Sequence, residues 1–414
     1  MKTGSVSKLC NVSKDTIHYY ISLGLLNPAK QNSQYIFSDR EIEDLQKIQK
    51  LKNMQFSLKD IEAIIRLGRT SNWVEPSTIR EYTLILKTKR DQLVEEQSKL
   101  VKSIDMIDGE LNTLSRRKIF KHSDSGIPLR ALSYLACPRC HKQLQVEQAS
   151  FSHKYVHSGI LTCPCGYSAA IEDGVVITSN RYTNVYDKPD LERELYRTLC
   201  SGLLKMYQNC SAYIAGKLID IPLTDKVIME GNINGYFFLY SHFADLPRDC
   251  LYIIIDKFPE TVLMYKKLIE KLNLDFDILY IADASADYPL MPGCVDICID
   301  FFGSNEYQFY HEEDYIQAVA PFLADKSTVI GSYMDLDKHA ESRKLVAKKY
   351  PESSSRCYSF GGITSELERQ GFGYDYTLAG SLSKTQNKFS FACHIDNEEM
   401  RFYRFTATRP ASIP

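Results

Sequence analysis

No run of apolar residues in this chain approaches the ~18 that a membrane helix needs, so no membrane partner is expected. The opening residues, MKTGSVSKLC, lack the apolar stretch of a secretory signal. The reducing cytoplasm is the expected compartment, and the 12 cysteines are not expected to pair as disulfides there. A surplus of charge is missing too: 50 Lys+Arg meet 52 Asp+Glu, and a net charge of −2 says nothing for or against nucleic acid. Local charge says more, because residues 1–70 hold 11 Lys+Arg against 7 Asp+Glu, a modest basic footprint. The remaining composition is ordinary for globular protein, with 44% hydrophobic and 25% charged residues. At 414 residues the chain exceeds one ordinary core, and two to four domains are expected.

Residues 1–70 read as short, well-capped helices. Ser13 precedes a stretch whose apolar positions are Ile17, Tyr20 and Ile21, and Gly24 supplies the stop. Ser38 to Glu41 form a capping box ahead of Ile42, Leu45, Ile48 and Leu51 on one face. Ser57 to Asp60 start another helix, and Gln34 to Phe37 suit a short strand between the second and third helices. The order is helix, turn, helix, wing and two more helices. Over residues 77–118, Ile79, Leu86, Leu93, Leu100, Ile107 and Leu114 recur at steps of seven. A helix of about 40 residues cannot bury such a stripe alone. Self-association is expected, the alternative being packing on the chain's own C-terminal part. Residues 121–128 read as a linker and 180–220 as helical. From 226 on, apolar runs (Val227–Met229, Tyr252–Ile255, Ile278–Ala282, Val295–Ile299, Thr328–Ile330) alternate with helical patterns, which implies a parallel α/β sheet.

A recognition helix exposes short polar and cationic groups at the end that enters the major groove. Ser13, Lys14, Thr16 and His18 occupy that end, and Tyr19 and Tyr20 can divide between them a hydroxyl for phosphate and a ring for the core. The stretch from Val6 through Val12-Ser13-Lys14-Asp15-Thr16-Ile17-His18-Tyr19-Tyr20 to Leu23-Gly24-Leu25-Leu26-Asn27-Pro28, with Phe56 to Ile61, resembles the MerR family of transcription regulators over residues 4–70. That resemblance implies a homodimer held by the long helix, bound to double-stranded promoter DNA between promoter elements and acting on RNA polymerase indirectly. Tyr35 lies in the wing that the likeness implies. Two departures stand out: the family's arginine before the tyrosines is His18 here, and its wing arginine near Tyr35 is absent. Both losses should weaken phosphate contact and flatten the salt dependence.

Cys137-Pro138-Arg139-Cys140 and Cys163-Pro164-Cys165-Gly166 supply four thiolates, with 22 residues between the pairs. Tetrahedral Zn²⁺ accepts four sulfurs on two tight turns, and a full set of ligands makes the site structural. His153 and His157 lie inside the loop, and either could replace a cysteine. Residues 133–178 therefore read as a zinc ribbon, and Leu161–Gly166 with Ile171–Val175 resembles small bacterial zinc-ribbon proteins and the ribbon fused ahead of some methyltransferases.

Glu230-Gly231-Asn232-Ile233-Asn234-Gly235 follows the first strand of the α/β part, Asp256 ends the second and Asp283 the third. In order and spacing these resemble the cofactor motifs of S-adenosylmethionine-dependent methyltransferases. The likeness implies that Glu230, Gly231 and Gly235 line the methionine end, Asp256 holds the ribose and Asp283 lies near the adenine. The loop is degenerate, since Asn232, Ile233 and Asn234 add side chains where backbone should approach a ligand. No catalytic residue is identified. The expected fold is multidomain. An all-α winged helix-turn-helix (1–70) and a coiled-coil dimerisation helix (77–118) precede a small β zinc ribbon (133–178) and an α/β Rossmann-like methyltransferase fold (185–414). The expected function is a MerR-type regulator whose last domain senses an unknown small-molecule effector or a partner. The alternatives are an active methyltransferase carrying a DNA-targeting module and a scaffold for protein contact.

Overall fold

A computed structural model describes every residue except 72, 117–124, 273, 386–392 and 410–414. The chain forms two compact units, Met1–Lys118 and Ile119–Pro414. The first contains α1 (Thr3–Cys10), α2 (Lys14–Ser22), a hairpin of β1 (Ala29–Gln31) and β2 (Gln34–Ile36), α3 (Asp39–Asn53), α4 (Leu58–Ser71) and α5 (Pro76–Arg116). The caps act as the sequence implies. The Ser13 hydroxyl accepts the Thr16 N–H at 3.0 Å, and the Glu41 carboxylate accepts the Ser38 N–H at 2.8 Å. Gly24, at φ 72°, turns the chain out of α2 where a side chain would strain it. The hairpin turns on Asn32 and Ser33, both at positive φ, the twist that a two-residue connection favours. Val6, Ile17, Leu45, Ile48, Ile61 and Ile64 are wholly buried and form the core of this unit. Helix α5 leaves it: Leu86 still packs against that core, whereas Leu100, Ile107 and Leu114 are more than half exposed.

Among the described residues, the second unit is built on one 12-stranded sheet. In chain order its strands are β3 (Ile127–Pro128), β4 (Gln145–Ser152), β5 (Tyr155–Thr162), β6 (Ser168–Glu172), β7 (Val175–Ile177), β8 (Val227–Gly231), β9 (Leu251–Asp256), β10 (Asp277–Ala282), β11 (Val295–Phe301), β12 (Leu323–Leu336), β13 (Gly373–Leu382) and β14 (Met400–Thr408). The spatial order is β13-β14-β12-β11-β8-β9-β10-β7-β6-β5-β3, with β4 beside β5. Strands β8 to β12 are mutually parallel, and β14 runs antiparallel between β12 and β13. The chain steps one way from β8 to β10 and the other way from β11 to β12. That reversal makes a doubly wound sheet with a crevice outside the carboxyl ends of β8 and β11. Both faces are covered, which is why these strands read as unbroken apolar runs: Met229, Ile253 and Ile255 enter one core, and Ile228, Tyr252 and Ile254 the other.

Three expectations need correction. The ribbon does not stand apart: β7 pairs in parallel with β10, Val176 opposite Ile281, so the cysteine-bearing strands extend the α/β sheet. Of the linker over 121–128, residues 121–124 lie outside the described residues, while Ile127 and Pro128 pair with β5. The helical reading of 180–220 holds for Ser201–Ile219 and a single turn, Glu194–Arg197, but not for 180–193. That segment contains Pro189, which biases Lys188 away from helix. Asn180, Tyr182 and Asp187 contact groups at the carboxyl ends of the sheet, and the segment runs there as a strap.

Candidate functional sites

The N-terminal end of α2 presents Ser13, Lys14, His18 and Tyr19 to solvent. Thr16 is half-buried, and its hydroxyl lies 2.7 Å from that of Ser13, so both hydroxyls serve the cap. The two tyrosines divide: Tyr19 is 52% exposed and Tyr20 is in the core at 8%. Tyr20 is thus a packing residue rather than a contact surface. The His18 ring lies 5.7 Å from that of Tyr35 on β2, and the Lys30 ammonium lies 5.7 Å over the Tyr35 ring. Helix end and wing therefore form one continuous polar face.

The Sγ atoms of Cys137, Cys140, Cys163 and Cys165 lie within 4.8 Å of one another. Cys137 and Cys165 are 3.4 Å apart, as are Cys140 and Cys163. Four sulfurs held ~2.3 Å from one zinc ion stand about 3.8 Å apart, so the cluster matches that donor geometry. Two tight turns shape it: the His141 N–H binds the Cys137 carbonyl at 2.8 Å and the Gly166 N–H the Cys163 carbonyl at 2.9 Å. This group could hold a metal ion. Neither His153 nor His157 belongs to it.

At the crevice, the three acids of the methyltransferase likeness are all engaged by the chain itself. Glu230 is 1% exposed and accepts the N–H groups of Phe238 at 2.7 Å and Leu239 at 2.8 Å. Asp256, also 1% exposed, accepts those of Asn234 at 2.8 Å and Phe258 at 2.9 Å, one on each oxygen. Asp283 accepts the Thr178 hydroxyl at 2.6 Å, the Asn180 amide at 3.0 Å and the Ser285 N–H at 2.8 Å. Gly231 does not open room for a ligand either, because a Cβ there would collide with the Tyr315 hydroxyl. Ile233 is wholly buried in the core, and the Asn234 side chain holds Asp190, Thr261 and Lys188. Of Glu230, Gly231, Gly235, Asp256 and Asp283, Gly235 lines a cavity of about 390 Å³. These residues do not fit S-adenosylmethionine: the acids that should meet ribose and adenine are 1% and 4% exposed and already accept the chain's own donors.

Sequence reading missed the residues that close the crevice. Lys257 directly follows Asp256, and its buried ammonium lies 2.6 Å from Glu306 and 3.1 Å from Asp187 of the strap. Burial alone would lower its pKa, but the carboxylates of Glu306 and Asp187 outweigh it and hold the ammonium charged. A lysine after a strand-end acid was the one signal available. The strap contacts have no local pattern at all.

Residues 1–67 match the family model described as MerR HTH family regulatory protein, so the first unit carries a MerR-type helix-turn-helix. The chain is 29% identical over 113 residues to the Multidrug-efflux transporter 2 regulator of Bacillus subtilis (strain 168), across 27% of this chain and 41% of that protein. It spans less than half the length of the curated relatives it matches, 41% to 48%. Among solved structures it is similar to HiNmlR, a MerR family regulator lacking the sensor domain, bound to promoter DNA. That match has 22% identity and a TM-score of 0.23, and covers 28% of this chain and 86% of that one. It is also similar to a SAM dependent methyltransferase from Aquifex aeolicus, at 13% identity and a TM-score of 0.34, covering 54% and 100%. Among the described residues no helix is long and apolar enough to cross a membrane.

The buried acids have a measurable signature. Burial pushes Glu230 up to about 8, Asp256 to about 7 and Asp300 to about 6, in each case against the hydrogen bonds they accept. At these three groups the folded chain binds protons that the unfolded chain has released, so the stability they contribute is greatest at low pH and is lost as pH rises through 6–8. Because 1 kcal/mol moves the midpoint of a unit this size by about 2–4 °C, thermal unfolding is expected to fall by about 5 °C or more between pH 5.5 and 8.5. Glu230→Gln should reduce the slope. A midpoint that rises over that range would mean that the three groups are ionised in the fold.

Proposed function

We propose that this chain is a DNA-binding transcription regulator of the MerR type. It acts as a homodimer through α5, and its α/β unit senses a small-molecule effector or partner and does not transfer methyl groups. The observation that carries the DNA-binding half is the continuous polar face formed by the end of α2 and the Tyr35 hairpin, within a segment matching the MerR model. Lys14, His18 and Tyr19 contact the duplex, and Ser13 and Thr16 hold the helix end in place. The dimer rests on the second half of α5, where Leu100, Ile104, Ile107, Leu111 and Leu114 are all more than half exposed. Such a stripe is stable in water only against another. Like the promoter-bound regulator it resembles, the dimer works on double-stranded promoter DNA, and so on RNA polymerase indirectly, in the cytoplasm. The sensing half rests on the closed crevice: a doubly wound sheet that has spent its cofactor acids on the chain's own backbone and side-chain donors keeps the scaffold without the chemistry. Residues 1–70, 77–118, 133–178 and 185–414 are the corresponding working parts, the last two sharing one sheet.

Selection of duplexes from random sequence by the full chain should enrich one motif. Lys14→Ala is expected to weaken binding to that duplex and to lower the slope of log affinity on log salt by about 1. Leu100→Asp with Ile107→Asp should give monomers in sedimentation and weaken the same binding by about tenfold or more, since each half-site contributes its own contacts. A wild-type chain that is monomeric at micromolar concentration, or that enriches no motif, would contradict the proposal.

The four-cysteine group holds zinc in this reading. It is a structural site that fixes the outer strands, with four ligands and no open position. Metal analysis should find about one zinc per chain, by that ligand count. Cys163→Ser should lower that figure and make residues 133–178 sensitive to protease, because the folding energy of such a ribbon comes largely from its metal. Metal-free protein with an intact, protease-resistant ribbon would refute it.

A further inference from the structure

The 390 Å³ cavity beside Gly235 lies within the range for small-molecule sites. It opens between the strap, the loop after β8 and the segment after β11. Its walls are Tyr236, Phe302, Phe309, Tyr310, Tyr350 and Tyr358. Four acids are on the lining: Glu194 is exposed to water, Asp190 accepts the Glu194 and Leu195 N–H groups, and the other two stand inside. Asp187 comes from the strap and Glu306 from the helix Gly303–Tyr307, and their side chains are 21% and 17% exposed. One Glu306 oxygen meets Lys257. The other lies 3.4 Å from where a Cβ on Gly235 would sit, so glycine keeps that corner open. The two lysines on the lining, Lys188 and Lys349, are exposed and can carry their charges out to water. Asp187 and Glu306 share the single Lys257 ammonium behind the lining, which leaves an excess of one negative charge beside the capped Asp190.

The Tyr310 ring, shared between the cavity and the Lys257 pocket behind it, already faces a cation. The Lys257 ammonium, which is not on the lining, sits 4.0 Å from the centroid of that ring, between the two carboxylates. Aromatic faces attract a cation because of their quadrupole, most strongly where water is excluded. An anion entering the same space would meet Asp187 and Glu306. A neutral body would leave the excess charge uncompensated. Building on the sensor reading above, we propose that this cavity binds an organic monocation with an apolar or aromatic body, of the quaternary ammonium type. Its charge lies against the open oxygen of Glu306, and its body against Tyr350, Phe309 and Tyr358.

The test uses two probes of the same body and opposite charge, benzyltrimethylammonium and phenylmethanesulfonate, titrated by calorimetry into the full chain. The cation should bind with a dissociation constant on the order of 1 mM or tighter for so small a molecule, and the anion should not bind. Glu306→Gln, which keeps the oxygen facing Lys257, should weaken the cation about tenfold, the cost of losing one charge contact. Tyr350→Leu, at a half-buried ring, should weaken it too and guards against a folding defect in the first variant. Equal binding of both probes, no binding of the cation, or binding indifferent to both substitutions would overturn the proposal. The titration needs no DNA. Cation binding that depends on Glu306 but leaves duplex affinity unchanged would uphold the cavity and remove the sensor reading alone.

Discussion

A carboxylate taken out of water must be met by donors or by a proton. The α/β unit imposes that demand four times over. Glu230, Asp256, Asp283 and Asp300 stand at or just beyond the carboxyl ends of β8, β9, β10 and β11, each no more than 4% exposed. The chain answers with its own groups. The Phe238 and Leu239 amides turn toward Glu230, the β8 loop folds down so that Asn234 reaches Asp256, and Ser304 binds Asp300 at 2.7 Å. Thr178 and Asn180, at the exit from the ribbon, complete Asp283. The loops after β8, β9, β10 and β11 each place a backbone donor on one of these oxygens.

The ribbon and the crevice are linked by the same demand. Strand β7 covers the edge of β10, and the chain leaving it passes directly over the carboxyl ends. Tyr182 packs edge-on against Phe258 and Tyr310, Asp187 pairs with Lys257, and Asp190 receives the Glu194 and Leu195 N–H groups while its own N–H is held by Asn234. A cysteine cluster that fixes the outer strands therefore also fixes where the strap begins, and the strap forms one wall of the aromatic cavity. In the proposed regulator, the metal supports the site that reads the ligand.

Much of this was legible in the residues because it is local. Caps such as Ser13 and Ser38 act within one turn, the paired cysteines act through short knuckles, and a strand buried on both faces has no choice but to read as Leu251 to Ile255 does. What could not be read was long-range. Strands β13 and β14 were not anticipated, since β13 is an edge strand whose exposed face carries Tyr376 and Leu378 without a clean alternation. The order of Glu230, Asp256 and Asp283 correctly suggested a doubly wound sheet. It could not tell whether their oxygens face a ligand or the chain, because the donors from Thr178, Asn180 and Asn234 are set by tertiary folding. For the same reason Glu306 and Asp187, 119 residues apart in sequence, gave no sign of sharing Lys257.

The closed crevice is tested most directly by calorimetric titration of S-adenosylmethionine into the full-length chain at neutral pH, with a parallel search for labelled methyl groups on DNA, RNA and cell extract. With Asp256 and Asp283 occupied by the chain's own donors, no binding heat is expected up to on the order of 1 mM cofactor, and no labelled product. Micromolar binding that Asp256→Ala abolishes, together with methylated product, would contradict the closed crevice and make the α/β unit an enzyme.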